Sequence, residues 1–574
     1  MKRAASVLLL IVVSCIFVLQ NGDALRAAPA RGTEGAAVDR ARLLDMAASL
    51  RLERRANRGR ALRLARERGW PIAETLPGGG AYALQGIFGG MPQYYGTCNE
   101  DAAVSTGTDL VHGAIGGGAG FTIGIWDGGK VRTTHQELTG RATWYDGSVN
   151  LSDHSTHVAG TLIASGVRAA ATGMAWAADL DAHEWTDDEG EMAAAAAAGL
   201  TISNHSYSFL RGWYENTGFF NPGWYWYGDS TVSETEDYRF GFYDDLSVSL
   251  DDLANAAPDY LVVVAAANDR NDNVPAPGTE HYYYHYGEGK WKLSTKVRDA
   301  DGGILGWDCL PNGKQTAKNA LVVGAVEDVA AYTGPGDVVM TDFSSWGPTD
   351  DGRIKPDLVG NGWELYSCVS DADTSYFGGA SGTSMASPNV CGSLALVQDY
   401  WMDQHAGVSM RAATLKALAI NTTREAGPAD GPDYMFGWGL LDASAAYDLA
   451  AAEVAAGDGL IDELTLADGS ELEYAYFCDG TAPELRVTIC WSDPSGTPPA
   501  PAVDPGDIML VNDLDLRVTG GDAQHEPWRL DPAAPGVAAT RGDNFRDNVE
   551  QVLVDTPAAG IYLCLLYTSD AADE

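Results

Sequence analysis

The sequence contains few cysteines and few basic residues for its length. It has eight cysteines in 574 residues, and 37 Lys and Arg against 79 Asp and Glu, which gives a formal net charge of −42. The six cysteines Cys98, Cys309, Cys368, Cys391, Cys478 and Cys490 show no CxxC spacing, so we expect isolated disulfides or buried thiols and no cysteine-based metal site. A strongly acidic surface repels phosphate backbones and anionic lipids, which argues against nucleic acid and membrane partners.

Long apolar runs are also scarce. One run, residues 7–19, follows two basic residues and precedes small residues, which is the pattern of a cleavable export signal over residues 1–24. The run is too short for a membrane anchor and no second run follows, so the sequence predicts a secreted protein, extracellular or periplasmic, without a transmembrane anchor. Cys15 in "VVSC" leaves a lipoprotein as an alternative.

Charge and periodicity divide the rest of the chain. Residues 25–104 begin with an Arg-rich helical pattern and carry the opposite charge to the acidic body, which favours a propeptide-like module over a helical linker. Residues 105–450 alternate β-branched runs with Ala-rich helical segments, which predicts an α/β fold with a parallel sheet flanked by helices. Residues 451–563 alternate strands with Pro and Gly turns, as in an antiparallel β-sandwich.

Two local features have more than one reading. The aromatic-rich insertion at residues 209–243 is predicted to pack against its own domain or to form a binding wall over a cleft. The last residues, 564–574, read "CLLYTSDAADE" and resemble a translated sequencing adaptor. We therefore expect the β-sandwich to be truncated after residue 563, and sequencing the gene through its stop codon tests this.

Four residues carry candidate chemistry. Asp127 follows the strand-like "FTIGIW", at the strand end where α/β active sites gather. His154 lies in "DHSTHVAG" with His157 three residues later, and a zinc pair is the weaker reading because no HExxH glutamate accompanies them. Ser384, in "GGASGTSMASPNV", begins a predicted helix whose free N–H groups would stabilise an oxyanion, and Asn268 after "VVVAAA" could supply a second donor.

The order of these residues and their surrounding blocks point to one family. Asp, His and Ser follow one another in the subtilisin order, and GTSMA replaces the GxSxG of α/β-hydrolases. The blocks "IGIWDGG", "HSTHVAGT", "AAAN", "FSSWGPTDDGRIKPDLVGNG", "GGASGTSMASP" and "FGWGLLDASAA" resemble the subtilisin-like serine proteases (subtilases) over about residues 105–450. The pattern resembles most closely the secreted bacterial subtilases with a C-terminal jelly-roll or β-sandwich domain.

The resemblance implies a role for each residue. Asp127 would orient the histidine, His154 would act as general base and acid, and Ser384 would be the nucleophile, with Asn268 and the Ser384 backbone in the oxyanion hole. The substrate-binding positions implied by the resemblance are Ser206, Tyr207, Ser208, Ala265, Ala266 and Gly382. The implied protein is a secreted, monomeric serine endopeptidase, made as a zymogen, which cuts protein or peptide substrates and is inhibited by its own propeptide.

No metal or organic cofactor is expected to take part in the chemistry. The family often binds structural calcium, and Asp513, Asp515 and Asp547 are candidate ligands, with ordinary turn and strand-end aspartates as the alternative.

The chain departs from the family pattern at small residues. Gly128 follows the aspartate where Ser or Thr is usual, and Ser155, Ala267 and Ser208 stand where glycine is usual. None removes a reacting atom, so we expect effects on specificity, loop geometry and pocket depth. Two other functions remain open from the residues alone: a catalytically silent surface-binding protein and a non-proteolytic serine hydrolase such as an esterase.

Overall fold

The computed structural model describes residues 7–15, 40–68, 70, 73–75, 81–88, 91–96, 103–147, 149–216, 221–272, 274–302, 306–457 and 459–569. Within these ranges the helices α1 to α8 are Arg40–Arg68, Thr108–Ile115, Asp153–Ile163, Asp188–Ala198, Asp245–Ala256, Thr383–Gln404, Ala412–Asn421 and Ala443–Ala456. Strands β1 to β4 are Val7–Cys15, Ala73–Thr75, Ala81–Phe88 and Met91–Gly96. Strands β5 to β18 are Thr122–Asp127, Ala142–Trp144, Asp179–Glu184, Ile202–His205, Ser208–Phe209, Trp213–Asn216, Gly223–Trp226, Leu261–Ala265, His281–His285, Lys290–Ser294, Leu321–Val326, Leu358–Asn361, Leu365–Cys368 and Tyr376–Ala380. Strands β19 to β27 are Ile461–Leu466, Glu471–Cys478, Glu484–Trp491, Asp513–Gly520, Ala523–His525, Trp528–Arg529, Thr540–Arg541, Val549–Asp555 and Gly560–Ser569.

A seven-stranded parallel sheet forms the centre of the molecule, in the order β16-β15-β12-β8-β5-β7-β6. Successive side chains of a strand point to opposite faces. Val263 accordingly packs on the face covered by α3 and α6, whereas Val262 and Val264 pack on the face covered by α4 and α5. Because helices cover both faces, the central strands are buried and apolar along their length. The predicted α/β fold with a parallel sheet flanked by helices is confirmed.

The N-terminal module consists of α1 and a small antiparallel sheet. The sheet has the order β2-β3-β4-β9, so its last strand comes from the central domain. Leu43 and Ala47 of α1 are buried in the same cluster as Met192 of α4 and Leu250 of α5. The module is thus packed on the helices that cover one face of the main sheet. Its predicted bounds, 25–104, include residues outside the described ranges, and they remain a prediction.

The aromatic insertion packs against its own domain and against this module. It contributes β10 and β11 to a four-stranded sheet with β13 and β14. Tyr225 and Tyr227 share a buried cluster with Tyr284 and with Trp70 of the module. Packing against its own domain therefore describes this insertion better than a binding wall over a cleft.

The C-terminal region is an antiparallel β-sandwich, as predicted. Its sheets are β19-β1-β21-β26 and β20-β27-β22-β23, and their inner faces meet in one apolar cluster that includes Val487, Leu516 and Val552. Residues 564–569 belong to β27, where Cys564 and Leu566 are buried in that cluster. The interpretation of residues 564–574 as an adaptor remains a prediction, and residues 570–574 lie outside the described ranges.

The apolar N-terminal run forms a strand of this sandwich. Residues 7–15 pair antiparallel with β19 on one side and with β21 on the other. Apolar β-branched residues suit a sandwich strand as well as the core of an export signal. The export signal over residues 1–24 therefore remains a prediction, and most of its other residues lie outside the described ranges. No helix in the described part of the chain is long and apolar enough to cross a membrane.

A buried ion pair joins the β-sandwich to the central domain. The Lys318 ammonium donates to the Asp493 carboxylate, to the Pro494 carbonyl at 2.5 Å and to the Met509 carbonyl at 2.6 Å. Asp493 also accepts from the backbone N–H groups of Val511 and Asn512, each at 2.9 Å. Lys318 and Asp493 are fully buried, so each charge depends on the other.

We expect Lys318→Met to destabilise the protein by about 3–5 kcal/mol, because it leaves the Asp493 carboxylate buried without a counter-charge. The matched control is Lys290→Met, which breaks an exposed ion pair with Glu288 and should hardly change the stability, because water screens exposed charges. The midpoint of urea unfolding, followed by tryptophan fluorescence, measures both. Equal shifts for the two variants would contradict the assignment.

Candidate active site

Three neighbouring strands bring polar residues to one edge of the main sheet. Asp127 ends β5, Ser206 directly follows β8, and Asn268 lies three residues after β12. Helix α6 begins against this edge, where Thr383 and Ser384 form its first turn. The Ser206 hydroxyl donates to the Ser384 carbonyl at 2.8 Å, and the Ser384 hydroxyl donates to the Ser206 carbonyl at 3.1 Å. The sheet edge therefore gathers the predicted catalytic residues, as expected for an α/β fold.

Asp127 and His154 form a direct hydrogen bond. His154 Nδ1 lies 2.7 Å from Asp127 Oδ1, and the two side chains are 3% and 1% exposed. The same carboxylate oxygen accepts from the Gly128 N–H at 2.6 Å and from the Ser155 hydroxyl at 3.0 Å. These donors fix the carboxylate. A proton on Nδ1 of a neutral imidazole leaves Nε2 as a proton acceptor.

The start of α3 positions His154. Ser152 caps this helix, because its hydroxyl accepts from the Ser155 N–H at 3.1 Å. His154 thus lies in the first turn, and α3 packs against α6. His154 Nε2 is buried and has no hydrogen-bond partner among the described residues. It remains available to accept a proton, while the Ser384 hydroxyl is bonded to Ser206.

Asn268 has a fixed side-chain orientation. Its Oδ1 accepts from the Thr383 N–H at 2.8 Å and from the Thr383 hydroxyl at 3.1 Å. Ala267 has φ +86°, a conformation that costs a residue other than glycine about 1–2 kcal/mol. Its N–H donates to Thr383 at 3.1 Å and its carbonyl accepts from Ser345 at 2.9 Å. These contacts hold the turn and fix the Asn268 carboxamide through its oxygen.

The predicted substrate-binding residues lie at different depths. Ser208 is partly exposed and its backbone pairs with Gly96 of β4 in the N-terminal module. Tyr207 is buried, and its hydroxyl donates to Asp188 at 2.9 Å. Ala265, Ala266 and Gly382 are buried beside the sheet edge. The side chain of Tyr207 therefore serves a hydrogen-bond network beneath the surface, whereas the strand edge at Ser208 is paired with the N-terminal module.

His157 is buried and belongs to a different environment from His154. Burial, followed by the proximity of His154, lowers the pKa of His157 to about 3. The groups of potential metal ligands found in the described part of the chain include neither histidine. The described residues thus offer no third ligand for a zinc ion at His154 and His157. His157 is a neutral side chain in the core.

The three predicted calcium ligands do not form one group. Asp515 lies with Asp543 and Glu550 instead of with Asp513 and Asp547. The reason is that Asp547 is engaged elsewhere, since it accepts from the Ile354 N–H at 2.8 Å and from the Asn544 amide at 3.1 Å. Calcium binding by Asp513, Asp515 and Asp547 stays a prediction. The Arg517 guanidinium donates to both Asp515 and Asp543 and already supplies a counter-charge there.

Sequence reasoning missed three contacts at the site. Ser155 bonds the Asp127 carboxylate, Thr383 orients Asn268, and the Ser206 side chain bonds the Ser384 backbone. The replacement of a usual glycine by Ser155 was the one available signal, since it adds a hydroxyl next to the histidine. The other two contacts join residues more than a hundred positions apart and leave no local pattern.

Comparison with known proteins gives the family. The model of the family described as "Subtilase family" matches residues 118–439, more than half of the chain. The chain belongs to the subtilase family. The "Serine protease/ABC transporter B family protein tagD" of Dictyostelium discoideum is 24% identical over 245 residues, which cover 32% of this chain and 13% of that protein. The "C5a peptidase" of Streptococcus pyogenes is 39% identical over 66 residues, which cover 12% of this chain and 5% of that protein.

This subtilase spans only a small part of the length of those relatives. Among solved structures, the "self-cleaved protease domain of PatA" aligns with a TM-score of 0.37 at 19% identity, over 58% of this chain and 97% of that one.

Acid should destabilise this subtilase through its buried histidines. His157 and His205 both have a pKa lowered to about 3, chiefly by burial. As pH falls below about 6.5, the unfolded chain binds protons at these positions and the folded chain does not, so stability is lost down to about pH 3. Each site contributes up to about 1.4 kcal/mol per pH unit in this window. We expect His157→Gln to flatten the dependence of unfolding free energy on pH, measured in urea between pH 7 and pH 4. An unchanged slope in both His157→Gln and His205→Gln would refute this.

Proposed function

We propose that this subtilase is a serine endopeptidase that cuts protein or peptide chains through Asp127, His154 and Ser384. The observation that carries the proposal is the 2.7 Å hydrogen bond between Asp127 and His154, at the sheet edge where α6 presents Ser384. The imidazole has an orienting carboxylate on Nδ1, and its Nε2 has no partner within the described part of the chain. This is the arrangement that a serine hydroxyl needs for activation.

The chemistry proceeds by proton transfer between these side chains. The Ser384 hydroxyl rotates from the Ser206 carbonyl to His154 Nε2, which takes its proton as the oxygen attacks the peptide carbonyl. Asp127 stabilises the imidazolium that results. The oxyanion accepts hydrogen bonds from the Asn268 amide and the Ser384 N–H. His154 then protonates the leaving amine. In the second half of the reaction His154 takes a proton from the water that attacks the acyl-enzyme and then returns a proton to the Ser384 oxygen as it leaves.

The N-terminal module supports a further proposal, that it inhibits the enzyme as a propeptide. Its strand β4 pairs with β9, so that Gly96 lies opposite Ser208 beside the site. An extended substrate could pair with the same strand edge once the module leaves. The Arg-rich α1 packs against α4, whose first turn carries Asp188, Glu189 and Glu191. The charge of Arg58 in α1 also acts on the Glu184 carboxyl and opposes the rise of its pKa that burial causes.

We also propose that the enzyme is secreted and acts as a monomer. The apolar run after two basic residues supports export, and the acidic surface supports solubility. Removal of residues 1–24 on export would remove strand β1 from the sandwich. Mass spectrometry of the secreted protein would locate the mature N-terminus.

Ser384→Ala should abolish casein hydrolysis, by roughly a millionfold if the three side chains act as a unit. The reason is that the neighbouring hydroxyl in the first turn of α6, on Thr383, is engaged by Asn268. Labelling by a fluorophosphonate should disappear in the same variant. Retention of half the activity would remove Ser384 as nucleophile, and labelling without any peptidase activity would favour an esterase or a silent binding protein.

Asn268→Asp should lower kcat about a hundred- to a thousandfold and leave KM nearly unchanged, because it removes an oxyanion donor. The substitution keeps an oxygen for the Thr383 donors, so the turn should remain folded. Steady-state kinetics on a peptide anilide measures the effect, and circular dichroism checks the fold. A kcat within threefold of the parent would exclude Asn268 from the oxyanion hole.

A further inference from the structure

Two backbone segments at the site continue past the point where their strands pair. They are residues 206–208, which follow β8, and residues 265–268, at the end of β12. The family resemblance assigns substrate-binding positions to both segments. The paired register of β8 and β12 ends at His205 and Val264. Some other contact therefore has to fix the distance between the two segments.

The Gln315 side chain bridges the two segments. Its Nε2 donates to the Tyr207 carbonyl and to the Ala265 carbonyl, each at 3.0 Å. A primary amide has two N–H groups and a carbonyl oxygen can only accept, so one nitrogen serves both partners. The two carbonyl oxygens thus lie no more than twice that distance apart. Gln315 is 2% exposed, so water hardly competes for these bonds.

The backbone of Gln315 is itself anchored. Gln315 is the middle residue of a short 3-10 helix, Lys314–Thr316. The Ser247 hydroxyl lies 2.9 Å from both the Gly313 carbonyl and the Thr316 hydroxyl, on either side of Gln315. Ser247 belongs to the first turn of α5, one of the helices that cover the main sheet. The bridging amide therefore extends from a fixed backbone.

The neighbouring Lys314 acts on the side chain of Tyr207. The Lys314 ammonium donates to Asp188 Oδ2 at 2.7 Å, and the Tyr207 hydroxyl donates to the same oxygen at 2.9 Å. The ammonium also lies 5.3 Å from the centre of the Tyr207 ring. All three side chains are buried. Lys314 and Gln315 together thus fix Tyr207 at both its hydroxyl and its carbonyl.

Tyr207 lies between two residues that contact other parts of the site. Ser206 exchanges hydrogen bonds with Ser384, and Ser208 pairs with β4 of the N-terminal module. When the module leaves, as proposed above, Ser208 loses that pairing and an extended substrate can take the same strand edge. The contact between Gln315 and Tyr207 does not involve the module, so it persists in the mature enzyme.

We propose that Gln315 is a positioning residue for substrate binding. It sets the distance between residues 206–208, along which the substrate would lie, and residues 265–268, which end in the oxyanion donor Asn268. The inference rests on the proposed peptidase function. Gln315 acts through the two backbone carbonyls that it binds, not on the reacting atoms. A misplacement of about 1 Å in an active site can cost roughly a hundredfold in rate, so small shifts of these segments matter.

The first test is Gln315→Met, which keeps the side chain's approximate length and removes both donors. On a peptide anilide we expect KM to rise about ten- to a hundredfold, with kcat within about threefold of the parent, because a uniform loss of binding raises KM alone. A small acetyl ester needs only the catalytic residues and the oxyanion donors. Its hydrolysis should stay within about threefold of the parent rate, because Thr383 still orients Asn268.

Gln398→Met is the matched control. Gln398 is 1% exposed, and its Nε2 likewise donates to a backbone carbonyl, that of Met410, at 2.9 Å. It lies in α6 about 21 Å from Ser384, at 1.5 Å of helix rise per residue. This variant should lose stability in urea much as Gln315→Met does and leave KM unchanged. An equal rise of KM in both variants would overturn the proposal, as would a KM of Gln315→Met within about twofold of the parent.

A second measurement separates this inference from the proposed function. Hydrogen exchange is followed by mass spectrometry in the full chain carrying Ser384→Ala, so the readout does not depend on activity. Gln315→Met should speed exchange at residues 206–208 and 265–268 by about tenfold, and Gln398→Met should not. Unchanged exchange in Gln315→Met would overturn the positioning role. Faster exchange there, with a parent enzyme that cuts no peptide, would support the positioning of the two segments and refute the peptidase function.

Discussion

The paired hydrogen bonds between Ser206 and Ser384 join the end of β8 to the start of α6, and the site is arranged around this junction. Strand β8 lies between β5 and β12, so fixing α6 to its end also brings the helix between Asp127 and Asn268. Parallel strands make this possible, because all their carboxyl ends lie on one edge. A shift of α6 along the sheet would separate the hydroxyl from both its base and its oxyanion donor.

The structure contains two kinds of buried charge. In one kind an acid and a base face each other directly, as Lys355 and Lys416 do around Asp357, at 2.6 and 2.8 Å. Such pairs specify a unique packing, because breaking one leaves an uncompensated charge in the interior. In the other kind, represented by Asp308 and Asp350, the charged groups that act most strongly on each acid among the described residues are other acids. Charges of the first kind are neutralised by side chains of the protein itself. Charges of the second kind are not, so the stability of the folded state depends on the protons and cations in the solution.

Much of the fold and the core of the site could be read from the sequence, because they depend on local patterns. Asp127 follows a buried strand, and His154 lies in a capped helix, so both signals are contained within a few residues. The order of the sequence blocks then indicates the family. The group formed by Glu236, Asp308 and Asp504 could not be found this way, since its members come from three distant segments. Calcium binding by Asp547 stays a prediction, and the contact of its carboxylate with Ile354, far away in sequence, could not be found from a local pattern either.

The six cysteines whose side chains the structure describes, Cys309, Cys368, Cys391, Cys478, Cys490 and Cys564, are buried and unpaired. Burial raises the pKa of each thiol, for example to about 12 for Cys368 and Cys490, so hardly any reactive thiolate forms near neutral pH. This part of the molecule contains no disulfide that a reductant could break, so disulfide bonds do not contribute to its stability. Its stability should therefore be the same under oxidising and reducing conditions. Thiol-reactive reagents should not modify these six cysteines in the folded protein.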